Sequence, residues 1–522
     1  MKLEEERSPS KLGFMLRCSN MKSLTQYLRQ PLCTSLSLVL VMASGVTGEP
    51  EKKAMAAKSK MADKPAKMVK KQASVTIDGK KIDYTATTSR LVLKTDDGKP
   101  RASIFYVAYT RDDVKDSSKR PVMFAFNGGP GSSAVWLHIG ALGPRILATS
   151  PDGTQPVKPP VRVGENAHSI LDVADLVFID PVSTGYSRAE DKKEQFHGVD
   201  EDIRSVGDFI RRWVTENKRW TSPKYLLGES YGGVRAAGLS HELQSRYGME
   251  LNGVVLLSSL MDFRTLRASE GNDLPYLAYL PAYTAVAHHH GKLKGDRAAL
   301  VKKSRDYASG AYASALLQGY TLKGDERKKV AAELSALTSL PESLILRHDL
   351  RIDPSYFRKE LLRSEGIVLG RFDARTAWSE ADRAGDYPRY DPSFAVAKGA
   401  FSTAMLAYLA DDLGWEDERI YEILTNVRPW NWGAKNSIVN TSPRLAAAMR
   451  DNPHLKVLVQ CGHTDLATPP GGILHSLAHM QVSERQRQNI SVKWYDAGHM
   501  FYLNQPDLEK MRKDLVEFID AN

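Results

Sequence analysis

The pentapeptide Gly228-Glu229-Ser230-Tyr231-Gly232 constrains this chain more than any other stretch. The apolar run Tyr225-Leu226-Leu227 precedes it, and the helix-forming Val234-Arg235-Ala236-Ala237 follows. A strand that turns straight into a helix lifts the serine hydroxyl above the sheet, and flanking glycines avoid clashes in so tight a bend. The helix N-terminus behind it favours negative charge as it develops. A turn of this kind presents a nucleophile. A hydroxyl is a poor nucleophile until a base takes its proton, so an imidazole and an orienting carboxylate are expected further along.

The surrounding pattern predicts the scaffold. From residue 73 alternating runs are punctuated by Asp78-Gly79 and Asp96-Asp97-Gly98, which favour antiparallel hairpins. Buried runs at 121–126, 175–179, 225–227 and 253–257 then alternate with helical periodicity, as over 202–216. That rhythm predicts a mainly parallel sheet with crossover helices. With the serine turn it predicts an α/β-hydrolase fold with antiparallel N-terminal strands. Residues 263–430 break the rhythm with helical stretches at 326–337 and 401–413, read as a largely helical cap insertion. The core resumes at 455–460 and 491–495 and closes with a helix at 507–519.

In this fold the acid and then the base follow the serine in chain order, on loops leaving the carboxyl ends of strands. Asp465 follows the run at 456–460, and His499 follows the run at 491–495. Asp496 competes as the orienting acid but lies too close to His499 in the same loop. His463, His475 and His479 compete as the base. His288-His289-His290 is read as a partly buried polar stretch, since adjacent helical residues do not face one another. No zinc-ligand spacing is present, and no metal or cofactor is expected. Two donors should face the developing oxyanion: the amide of Tyr231, and that of Gly129 in the loop Asn127-Gly128-Gly129-Pro130-Gly131.

The formal charge of +10 would fit a nucleic-acid partner if it were spread over a folded surface. Residues 1–72 hold 14 Lys and Arg against 6 Asp and Glu, which leaves the remainder near neutral and argues against that partner. Residues 1–48 read as a signal peptide. Lys22 and Arg29 precede the apolar run Leu36-Ser37-Leu38-Val39-Leu40-Val41-Met42-Ala43, and small residues follow. Export to periplasm or medium is expected, with no membrane anchor and with Met1 or Met21 as the start. Residues 49–72 are Lys/Ala-rich and read as a linker, with a hydrolase domain over 73–522. Cys18 and Cys33 fall in the leader, so Cys461 is the remaining thiol, read as a small core residue.

Several segments together resemble the serine carboxypeptidase family: Asn127-Gly128-Gly129-Pro130-Gly131-Ser132-Ser133, Leu142-Gly143-Pro144, Asp180-Pro181 with Gly185-Tyr186-Ser187, Gly228-Glu229-Ser230-Tyr231-Gly232-Gly233, and Gly498-His499. They stand in the family's order over about residues 75–520, and the short Asp180-Pro181 loop and lack of disulfides are similar to its bacterial branch. The resemblance implies hydrolysis of the C-terminal peptide bond of peptides through an acyl-enzyme on Ser230. It further implies that Asn127, Gly128 and Glu229 hold the substrate's free carboxylate, the Glu in its protonated form. The family commonly places an acid two positions before Gly143-Pro144, where this chain has Ala141. Without that like-charged neighbour the acid form of Glu229 should be less favoured, and either the working pH lies nearer neutral than in acidic relatives or carboxylate recognition is altered. An esterase or acyltransferase on the same triad is the alternative, and a non-catalytic binding protein a third reading.

Overall fold

The computed structural model describes residues 67–521; the leader and most of the linker expected at 1–66 lie outside the described residues. Asp78 and Gly79 both take positive φ (47° and 73°), the two-residue turn whose twist matches that of its flanking strands. It joins β1 (Met68–Ile77) to β2 (Lys80–Lys94), which pairs with β3 (Pro100–Arg111). Two expectations are corrected. The first strand begins at Met68, inside the stretch read as linker through 72. The alternating stretch between Asp78-Gly79 and Asp96-Asp97-Gly98 forms one continuous strand rather than several short runs.

Five buried strands follow in the sheet's parallel half: β4 (Val122–Phe126), β5 (Asp175–Ile179), β6 (Lys224–Glu229), β7 (Gly253–Leu257) and β8 (Lys456–Gly462). The edge strand is β9 (Ile490–Tyr495). The sheet order is β1-β2-β3-β5-β4-β6-β7-β8-β9, antiparallel up to the β3/β5 pair and parallel from β5 onward. Arg188–Ala189 adds a short tenth strand beside β3.

Side chains of the central strands alternate between two buried faces. On one face Phe124, Leu226, Val254 and Leu256 pack under α1 (Val199–Glu216) and α2 (Tyr231–Tyr247). Ile203, Val206, Phe209, Ile210 and Trp213 of α1 recur at helical spacing on that face. On the other face Met123, Leu227, Val255 and Leu257 meet Leu508, Met511, Leu515 and Phe518 of the C-terminal helix Gln505–Asp520. Each such side chain, removed from water, contributes about 1.5–3 kcal/mol.

The stretch read as one cap, 263–430, divides in two. Residues between Tyr279 and Ala374 form a separate helical core, with Tyr283, Leu334, Ile345 and Phe357 inside it. The helix Pro392–Ala407 instead joins the core of the sheet, through Phe401, Ala404 and Met405. By length and composition Pro392–Asp412 could cross a membrane, but Val396, Phe401, Ala404, Met405, Tyr408 and Leu409 are buried. The two halves therefore bury their apolar faces against different partners.

Candidate active site

At the end of β6 the chain reverses at Ser230, whose φ of 61° and ψ of −125° are rare for a residue with a Cβ. The Ser230 amide donates to the Leu257 carbonyl of the adjacent strand (3.1 Å), and α2 starts at the next residue. A Cβ on Gly228 would overlap the Gly232 carbonyl, and one on Gly128 would overlap the Tyr231 amide nitrogen. The glycine loop thus lies directly against the serine turn, and Gly129 and Tyr231 border one cavity of about 230 Å³. Ser230, His499, Asn127 and Glu229 line the same cavity.

His499 is buried with its Nδ1 2.8 Å from Oδ2 of Asp465. Asp465 is itself fully buried and accepts from the amides of Ala467 (2.7 Å) and Thr468 (2.9 Å). The Thr468 hydroxyl donates to the Ser258 carbonyl (2.6 Å) and touches both Asp465 Oδ2 and His499 Nδ1. Burial opposes protonation of His499, but the Asp465 carboxylate outweighs it and holds the imidazole above its usual range. An imidazole fixed by its Nδ1 on a carboxylate presents Nε2 as a base.

The competing residues are engaged elsewhere. Asp496 pairs with Arg297 (2.6 Å). His463 stacks on Trp494, and His475 on His479. His288 and His290 contact the carbonyls of Gly295 and Ala374. No group of three His, Cys, Asp or Glu is placed to hold a metal ion among the described residues. Cys461 is buried in β8, and burial pushes its thiol up, so it stays in the acid form.

Next to the serine, Asn127 Nδ2 donates to Oε2 of Glu229 at 2.7 Å, and the Tyr502 hydroxyl donates to the same oxygen at 2.8 Å. Burial, the larger effect, pushes the Glu229 carboxyl up to about 7, against the lowering by His499 and by these two donors. Although Ala141 supplies no like-charged neighbour, enclosure of the site disfavours the Glu229 charge, with a smaller push in the same direction from the Asp465 carboxylate. Tyr502 stands where a Cβ on Gly140 would meet its ring at 3.3 Å, beside the segment that carries Ala141.

Sequence reasoning missed Tyr502, Thr468 and the buried pair Arg235–Asp202 (2.8 Å). Arg235 also donates to the Asn127 carbonyl (2.7 Å) and so ties α2 to the glycine loop. Its signal was a lone charge amid small residues just after the serine. Asp180, part of the motif at 180–187, accepts from the Ala134 amide (2.8 Å) and steadies the loop from its far side. A larger cavity of about 410 Å³ lies between the helices Leu274–His289 and Pro470–Ala478. It includes none of Ser230, His499, Gly129 and Tyr231, all of which line the smaller one.

The family model described as serine carboxypeptidase matches residues 93–505. This chain belongs to the serine carboxypeptidase family. Among curated relatives, serine carboxypeptidase-like 9 of Arabidopsis thaliana is 26% identical over 142 residues, 27% of this chain and 31% of that protein. Serine carboxypeptidase 1 of Hordeum vulgare is 28% identical over 153 residues, 28% of this chain and 29% of that protein. The matches to these serine carboxypeptidases thus span under a third of the relatives' length. A prohormone-processing carboxypeptidase, Kex1(delta)p of Saccharomyces cerevisiae, superposes with a TM-score of 0.54 at 16% identity, covering 84% of this chain and 92% of its own. That likeness bears on the fold, and the family's α/β-hydrolase architecture is the one described above.

Proposed function

We propose that this chain is a serine-type carboxypeptidase that hydrolyses the C-terminal peptide bond of peptides through an acyl-enzyme on Ser230. The observation that carries the reading is the placement of Glu229 directly before the nucleophile, buried and held by Asn127 and Tyr502. Both donors sit on Oε2, which leaves Oε1 as the place for the proton. A carboxylic acid presented this way donates a hydrogen bond to a substrate carboxylate, which an ionised one would repel. Asn127 and the Gly128 amide complete the grip.

In the forward step Ser230 Oγ attacks the scissile carbonyl while His499 Nε2 takes the hydroxyl proton. Negative charge gathers on the carbonyl oxygen between the amides of Gly129 and Tyr231, which need no reorganisation to receive it. His499 then passes the proton to the departing amine, the C–N bond breaks, and the C-terminal amino acid leaves. Water, deprotonated by His499, attacks the acyl carbon, and Ser230 recovers its proton as the shortened peptide departs. The apolar run at 36–43 supports export of the enzyme to an extracytoplasmic compartment.

The test is release of the C-terminal residue from N-blocked dipeptides, as free acids and as amides, by the wild type and by Ser230→Ala. Cleavage of the free acid alone, with an inactive variant, upholds the reading. Equal or faster reaction of amides or simple esters would assign the site to an esterase or acyltransferase instead.

A further inference from the structure

Among the described residues that line the catalytic cavity, Arg371 is the one with a guanidinium or ammonium group. It arrives from the 263–430 insertion and sits in no recognised motif. Its backbone is clamped on both sides: the amide donates to Asp391 Oδ1 (3.0 Å), and the carbonyl accepts from the Leu466 amide (3.1 Å), next to Asp465. Its guanidinium lies 4.4 Å over the ring of Phe372, and the Phe372 ring stands 5.2 Å from that of His499.

The charge is only partly neutralised. Arg371 Nε is 3.7 Å from Asp391 Oδ2, a long pair, and the same carboxylate stands 3.8 Å from Arg358. Asp391 Oδ1 is already used by the Arg371 amide and by the amide and hydroxyl of Ser393. Two guanidiniums share one carboxylate, so the group keeps a net positive charge. Arg358 is buried, whereas the Arg371 side chain is 46% exposed. The charge available to a ligand is therefore that of Arg371.

The side of the cavity matters as much as the charge. The residue that leaves must be reached by the His499 proton and by the Glu229–Asn127 grip, which places it between these groups. Phe372 and Met500 border that space, and Phe394 packs on Phe372 at 5.7 Å. Leu260, Phe263 and Leu266 add further apolar surface to the same cavity. We propose that Arg371 selects the side chain of the C-terminal residue, so that the preferred substrates are peptides ending in glutamate or aspartate. This rests on the carboxypeptidase reading above. The aliphatic and aromatic part of the wall holds the side chain's methylenes, and the guanidinium receives its carboxylate as a charge-assisted pair.

The experiment compares kcat/KM for N-blocked dipeptides ending in Glu, Gln, Leu or Lys, at pH 6, where the substrate side chain of Glu is ionised. For a half-exposed pair the expected preference for Glu over Gln is about two- to fivefold in the wild type. It should shrink as salt is raised from about 20 mM to 500 mM, because exposed charges are screened. Arg371→Met should bring the Glu/Gln ratio to about one, and Arg371→Glu should turn the preference toward Lys. Because the readout is a ratio within one preparation, partial loss of folded protein does not disturb it. A wild-type ratio near one, or a ratio unmoved by Arg371→Met, overturns the proposal while leaving carboxypeptidase activity in place. Equal loss on all four peptides would also overturn it, since Arg371 would then grip the α-carboxylate. If no free-acid peptide is cleaved although Ser230 reacts with a fluorophosphonate, the carboxypeptidase reading fails and this one with it.

Discussion

The Tyr502 hydroxyl donates to Oε2 of Glu229 at 2.8 Å, although the two residues are 273 positions apart in the chain. A donor to an ionised carboxylate favours that ion, so Tyr502 lowers the Glu229 pKa against the larger upward push of burial. Removing the hydroxyl in Tyr502→Phe should raise it. The acid form of Glu229 then persists to higher pH, and the alkaline fall of kcat/KM for free-acid peptides should move up. Loss of one positioning contact should also raise KM more than it lowers kcat. A pH profile of both constants checks this. An unmoved alkaline limb, with both constants reduced evenly, would mean that Tyr502 is only a packing residue.

Glu229→Gln tests the protonation directly. Burial pushes the wild-type carboxyl up to about 7. Carboxylate recognition by its acid form is therefore present below that pH and lost above it. Catalysis needs neutral His499, which burial opposes charging but Asp465 holds above its usual range, so activity falls on the acid side. The two limbs give a bell-shaped profile for free-acid peptides, with the acid side set by His499 and the alkaline side by Glu229. Esters without a carboxylate should show only the acid limb. In Glu229→Gln an amide donates at every pH, and the alkaline limb should flatten for free-acid peptides too.

The parts of this site that were legible from sequence share a property. Each is announced by backbone demands: the glycines around Ser230, the loops after β8 and β9 that hold Asp465 and His499, and the Asp78-Gly79 turn with both φ values positive. Tyr502 and Arg371 carry no such mark. Tyr502 sits in Phe501-Tyr502-Leu503, which reads as core, and its hydroxyl gains meaning only when the last loop folds over the glycine segment. Arg371 comes from an insertion whose packing depends on contacts distant in sequence. The start of β1 was hidden for another reason. Its Lys70 and Lys71 point to solvent on an edge strand, and a polar edge has the composition of a linker.

Asp465→Asn should leave the packing of the loop largely intact, because the amide can still accept from Ala467 and Thr468. It cannot stabilise the imidazolium that forms when His499 takes the serine proton. An expected loss in kcat of about 10⁴-fold follows from the known behaviour of such triads. Burst kinetics with an activated ester should show acylation slowed by a similar factor. A loss under tenfold would remove Asp465 from its assigned role and leave Thr468, the other contact of His499 Nδ1, as the group that orients the imidazole.

Asp202→Asn separates folding from chemistry. Asp202 does not line the catalytic cavity but pairs with Arg235, and both are almost wholly buried. Removing one partner of such a pair leaves an uncompensated charge in the interior, which costs about 3–5 kcal/mol. Chemical denaturation should show that loss of stability. The consequence for activity runs through Arg235, whose second bond holds the Asn127 carbonyl. When its guanidinium must find another acceptor, the glycine loop loosens, and with it the Gly129 amide and the Asn127 side chain. Free-acid peptides should therefore lose kcat/KM more than neutral esters, which use the oxyanion donors but not the carboxylate grip. Arg235→Met with Asp202→Leu, which removes both charges, should recover much of the stability but not the preference for free-acid peptides. If that double variant restored both, the Arg235 tether would have no part in holding Asn127.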